Sequence, residues 1–156
     1  MDIKNFDGDI FNSSADIIGH QVNAIGGFGS GIAKTIKERF PRVCEQYKKA
    51  IENGSLKLGM CQVVKTNPNQ DDNRLIANLC GQYNYGREDK RYTNYEAIYT
   101  ALEKLAQYCV ENNVKSVAFP YKMSCGLAKA DWNVILAMII STFQKTDISI
   151  EIWKLI

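Results

Sequence analysis

Between positions 19 and 33 the chain reads Gly-His-Gln-Val-Asn-Ala-Ile-Gly-Gly-Phe-Gly-Ser-Gly-Ile-Ala, with five glycines in the first thirteen residues. An apolar run, Ala15-Asp-Ile-Ile18, leads into it and reads as a buried strand ending at His20 to Asn23. Behind it, Ile32, Ala33, Ile36 and Phe40 recur at helical spacing. A strand, a glycine loop and a helix start make a place for a phosphate. Glycine lets the backbone come close to a ligand, and the first helical N–H groups have no intrahelical acceptor. The loop matches neither G-x-G-x-x-G nor a Walker sequence, because no Gly-Lys-Ser/Thr follows it. A loop that is only flexible is the alternative.

The remaining pattern alternates strands and helices. Ile3 to Phe6 is predicted as a short strand before an Asp7-Gly8-Asp9 turn, and Ser30 as the cap of the first helix. Pro41 breaks that helix or starts the next, which runs through Val43, Tyr47, Ala50 and Ile51 to a stop at Asn53-Gly54. Met60 to Lys65 and Leu75 to Cys80 read as strands, with a polar turn from Asn67 to Asn73 between them. An aromatic loop, Gly81 to Arg91, precedes a helix from Tyr95 to Glu111. Val117 to Tyr121 is a strand followed by a second glycine turn, Met123-Ser-Cys-Gly-Leu-Ala128. Asp131 caps a last helix, and Ile148 to Leu155 alternates as a closing strand with one wetter face. This order predicts a single three-layer α/β/α domain over 1–156, with a mixed, mostly parallel sheet of about six strands. Ligands bind at the carboxyl ends of such strands, so both glycine loops are expected on one edge.

Composition excludes several classes. With 46% apolar and 23% charged residues the chain should fold into a globule, and a net charge of +2 gives no direct nucleic-acid signal. No apolar stretch approaches the ~20 residues of a membrane span, and the first residues lack a signal-peptide core. Cys44, Cys61, Cys80, Cys109 and Cys125 are widely spaced and His20 is the single histidine. Reduced thiols, a cytoplasmic location, and no metal or cofactor are therefore expected.

Three motifs in order resemble the macrodomain family over nearly the whole chain. They are Gly8-Asp-Ile10, Gly29-Ser-Gly-Ile-Ala33, and Pro120 through Cys125-Gly-Leu127 followed by Trp132. The resemblance implies an ADP-ribose-binding fold. Asp9 would take the adenine amino group, with the Ile10 backbone beside it. Gly29, Ser30, Gly31, Ile32 and Ala33 would hold the diphosphate and distal ribose. Ser124, Cys125, Gly126 and Leu127 would clasp the diphosphate from the other side, and Asn23 would lie by the distal ribose.

Short stand-alone members that this chain resembles include a terminal ADP-ribose glycohydrolase and the ADP-ribose-1''-phosphate phosphatases. The glycohydrolase's nucleophilic lysine is replaced here by Tyr92 and its aspartate by Ala128, while Lys90, Arg91 and Lys122 are nearby in sequence. His20, three residues before Asn23, matches the phosphatase pattern and is the candidate general acid or nucleophile. A histidine bonded to backbone at a strand end is the alternative for His20. Cys125 reads as a small buried side chain. Tyr83, Tyr85 and Tyr92 either cover the ligand or close the core, and Arg87 and Arg91 read as solvated. The resemblance therefore implies binding of ADP-ribose or ADP-ribosylated macromolecules, with phosphatase action on ADP-ribose-1''-phosphate. A non-catalytic reader and a deADP-ribosylating hydrolase without the Lys/Asp pair are the alternatives.

Overall fold

The computed structural model describes residues 1–67 and 74–156. Most of the expected polar turn, Pro68 to Asn73, lies outside the described residues. The strands are β1 (Asp2–Asp7), β2 (Ile17–Asn23), β3 (Cys61–Lys65), β4 (Leu75–Gln82), β5 (Ser116–Pro120) and β6 (Ser149–Lys154). They form one mixed sheet in the order β1-β6-β5-β2-β4-β3, in which β3 alone runs antiparallel. The helices are α1 (Gly31–Arg39), α2 (Pro41–Glu52), α3 (Tyr95–Glu111) and α4 (Trp132–Phe143).

Each face of the sheet has its own core. Ile17, Leu79 and Phe119 pack with Ile98, Leu102 and Leu105 of α3 and with Ile135, Ile139 and Phe143 of α4. On the other face Ile18, Val22, Ile76 and Cys80 meet Ile36 of α1 and Val43, Cys44 and Tyr47 of α2. The helices form where the sequence allows. Asn94 accepts from Ala97 N and Asp131 from Asn133 N, so the starts of α3 and α4 have capped N–H groups. Pro41 takes the first turn of α2, where its missing N–H costs nothing. β6 lies inside the sheet, between β1 and β5. Its wetter face carries Glu151, which accepts from Ser13 Oγ at 2.6 Å and Trp153 Nε1 at 2.8 Å.

β2 is paired unevenly. It pairs with β4 along its whole length, but with β5 only at Ile17–Val117 and Ile18–Ala118. Beyond those pairs Phe119 lies across Gly19, where a Cβ would stand 2.8 Å from the ring. Gly19→Ala should therefore lower stability by ~1–3 kcal/mol through overpacking, seen as a lower urea midpoint at an unchanged slope.

Candidate functional site

A cleft of about 960 Å³ opens at the carboxyl edge, where the β2–β5 ladder has ended. Three segments wall it: the end of β2 with the loop into α1, the stretch from Gln82 to Tyr92, and the turn from Tyr121 to Ala128. Both glycine loops thus share the expected edge.

The first loop is tied down by one side chain. Asn23 Nδ2 donates to Gly27 O at 2.7 Å, and Asn23 Oδ1 accepts from Ile25 N and Gly27 N at 3.1 and 3.0 Å. Tyr47 of α2 donates to Asn23 O at 2.6 Å and lies 3.0 Å from Asn23 Oδ1. Asn23 is only 8% exposed, so its amide is spent on the loop. The loop presents backbone outward: Cβ atoms added at Gly29 or Gly31 would meet nothing within 4 Å. Gly31 has φ +59°, a conformation that favours glycine. Ser30 occupies the cap position as expected, yet its hydroxyl makes no capping bond. The N–H groups of Gly31, Ile32 and Ala33 are left for a ligand.

The second loop is strained and braced. Lys122, Ser124 and Lys129 take φ of +57°, +70° and +62° without being glycine, at a cost of ~1–2 kcal/mol each. Ser124 Oγ donates to Gln21 Oε1 at 2.7 Å, and Thr93 Oγ1 donates to Ser124 O at 3.0 Å. Gln21 Nε2 in turn donates to Gln82 Oε1 and Thr93 Oγ1. Tyr92 N and Thr93 N both donate to Ala128 O, at 3.0 and 3.1 Å. Gly126 faces open space.

The charge in the cleft has one sign. Lys37, Lys48, Arg87 and Lys122 line it, and no aspartate or glutamate does. Among the described residues the ion pairs are Arg39–Asp9, Lys90–Glu88 and Lys129–Asp89, so these four cations are unpaired. An anion entering here meets cations and two sets of backbone N–H groups.

His20 lines the floor but is 1% exposed. Its Nε2 lies 2.6 Å from Asn78 Oδ1, and its buried Nδ1 has no partner. An unmet buried acceptor or donor costs ~1–3 kcal/mol. Burial lowers its pKa from 6.5 to about 4, against a smaller upward pull from Asn78. The ring is therefore neutral near pH 7. The expected general acid or nucleophile is thus a buried, neutral ring at the cleft floor, packed against Phe28 with ring centroids 5.5 Å apart. The neutral ring can accept a proton or a hydrogen bond.

Other expected site residues divide. Ser30, Ile32, Ala33, Ser124, Gly126, Leu127 and Tyr92 line the cleft together with Gly29 and Gly31. Tyr92 is also closed into the wall, 8% exposed, with its hydroxyl accepting from Glu88 N at 3.2 Å. Cys125 is outside the lining; its thiol donates to Met123 O at 3.2 Å, its N–H to Lys122 O at 3.0 Å, and burial raises its pKa. Asp9 and Ile10 also lie outside the lining, where Asp9 accepts from Phe11 N at 2.9 Å and pairs with Arg39 at 3.7 Å. Arg91 stacks on Tyr95, 4.2 Å from its centroid, away from the cleft. Gln21, Tyr47 and Asn78 were not singled out by the sequence. Polar side chains inside apolar strand and helix faces are the signal that marks them. No cluster of three or more His, Cys, Asp or Glu able to hold a metal occurs among the described residues.

The family model described as Macro domain matches residues 20–139. The chain belongs to the macrodomain family. This macrodomain is 29% identical over 149 residues to human "ADP-ribose glycohydrolase OARD1", covering 95% of the chain and 88% of that protein. It is 28% identical over 138 residues to the "DNA ADP-ribosyl glycohydrolase" of Mycobacterium tuberculosis, covering 88% of the chain but only 38% of that protein. The solved macrodomain of Mycobacterium tuberculosis DarG superposes with a TM-score of 0.85 at 27% identity, over 97% of this chain and 96% of that one.

The buried histidine gives the macrodomain a pH signature. Its pKa is about 4 folded against 6.5 for the free side chain, so between those values the unfolded chain binds more protons. Stability contributed by the neutral ring is full above pH 6.5 and falls as pH drops towards 4, by about 3 kcal/mol in all. Urea unfolding across this range should show that loss in the wild type and a flatter profile in His20→Gln.

Proposed function

We propose that this macrodomain binds ADP-ribose across the cleft, its diphosphate between the two loops, and hydrolyses ADP-ribose-1''-phosphate at the distal ribose. One observation carries the binding half: two open backbone loops face a cleft with four unpaired cations and no carboxylate. A doubly charged diphosphate fits that field and would meet a carboxylate only at a cost. The names of the relatives, an ADP-ribose glycohydrolase and a DNA ADP-ribosyl glycohydrolase, support the same ligand class and a hydrolytic reaction.

Hydrolysis adds one water, breaks the bond from phosphorus to the 1'' oxygen, and releases ADP-ribose and inorganic phosphate. In this reading His20 receives the proton of that water through the ribose hydroxyls, since its ring is buried. Remote contacts to the ADP half would orient the phosphate for attack. A second reading, a reader that binds without turnover, is favoured by a different observation. Tyr92 and Ala128 line the cleft side by side, where the resembling glycohydrolase carries its lysine and aspartate.

Two measurements check this. Calorimetry should show ADP-ribose binding that weakens about tenfold or more when Lys37 and Lys122 are both changed to glutamate, since each cation near a phosphate is worth ~1 kcal/mol even in water. Phosphate release from ADP-ribose-1''-phosphate should fall by ~10²-fold or more in His20→Ala. Binding without any phosphate release by the wild type would overturn the phosphatase reading and leave a reader or a hydrolase of another ADP-ribose linkage.

A further inference from the structure

A row of polar side chains crosses the α1/α2-facing core. In the strand register His20 of β2 stands beside Asn78 of β4, which stands beside Gln62 of β3. The rows on either side are apolar: Ile18, Ile76 and Val64 before it, Val22 and Cys80 after it. His20 is 1% and Asn78 0% exposed, so this row is kept against the preference of its surroundings.

The bonds along the row run in one direction. Gln62 Nε2 donates to the backbone oxygen of Gln46 in α2 at 3.1 Å. A carbonyl can only accept, so the Gln62 amide is oriented with Oε1 towards Asn78. Asn78 Nδ2 donates to that Oε1 at 3.0 Å, which turns Asn78 Oδ1 to His20. The 2.6 Å contact to His20 Nε2 then requires a proton on Nε2. The remaining nitrogen, Nδ1, is buried and has no partner.

We infer that Gln62 and Asn78 are positioning residues that fix His20 as its Nε2–H tautomer, leaving the Nδ1 lone pair at the cleft floor to accept from a ribose hydroxyl of the ligand. A main-chain carbonyl of α2 thus sets, through two amides, which hydrogen-bonding partner the floor of the cleft accepts. A hydroxyl satisfies Nδ1; a ligand group without a donor at that point leaves it unmet. The ligand half rests on the ADP-ribose reading, whereas the tautomer half stands without it.

Nitrogen NMR of the imidazole near pH 7 tests both. Wild type should show a protonated Nε2 and an unprotonated Nδ1. Gln62→Leu frees the Asn78 amide to rotate and should populate the Nδ1–H form. Gln62→Glu can still accept from Asn78 Nδ2 and should retain Nε2–H. A residue that only supports the fold would lower stability in both variants and shift the tautomer in neither. Gln62 lies on the edge strand and is half-buried, so both variants are expected to fold. Titration with ADP-ribose should then move the Nδ1 resonance of the wild type at saturation. A wild-type Nδ1–H tautomer, or a Gln62→Leu protein with the wild-type tautomer, overturns the positioning role. An Nδ1 resonance that stays put while calorimetry shows ADP-ribose bound overturns the hydroxyl contact. Absence of any ADP-ribose heat contradicts the proposed function instead and leaves the tautomer result to be read by itself.

Discussion

Two residue pairs, Ile17–Val117 and Ile18–Ala118, join the halves of the sheet. All four side chains are fully buried, so the seam is held by packing on both faces as well as by backbone bonds. It is also short. β4 and β3 extend from one side of β2, and β5, β6 and β1 from the other. At this switch in strand order the chain leaves β2 and β5 into the two loops that wall the cleft. A longer ladder would close the gap, and none would leave two sheets. Function at this edge depends on the seam stopping where it does.

Holding the loops apart requires polar groups where apolar ones would be cheaper. Asn23 and Tyr47 knot the first loop, and Gln21 with Thr93 braces the left-handed backbone at Ser124. These bonds are made before any ligand arrives. The strain at Lys122, Ser124 and Lys129 is therefore met by folding and not by binding. The same division explains the electrostatics. Neutral amides set the shape, while Lys37, Lys48, Arg87 and Lys122 on the rim supply charge without carboxylate partners that a ligand would have to displace.

Much of this was legible in the sequence, for reasons that differ by residue. The α3 helix was read to its ends because its apolar residues keep helical spacing up to the Asn112-Asn113 stop; the Asn94 cap is added by the structure. The two loops were legible because glycines concentrate after strands. What the sequence could not carry was partnership across the sheet. Asn78 looks like one polar residue in an apolar strand until the register sets it between His20 and Gln62. Asn23 was expected beside the distal ribose and does line the cleft; its amide's bonds to Gly27, four residues away, require the loop to turn back and were not legible. His20 was expected as general acid or nucleophile from its match to the phosphatase pattern; the burial that keeps its ring neutral is not legible in the sequence.

The central claim is that the two loops, joined by one short seam, act as a single diphosphate site. A crystal structure of the protein with ADP-ribose tests it most directly. The diphosphate should lie between the loops, with its oxygens in hydrogen-bond reach of the N–H groups of Ile32 and Ala33 on one side and Gly126 and Leu127 on the other. ADP-ribose seated elsewhere, or with its diphosphate turned out to solvent and only one loop in contact, would contradict the claim.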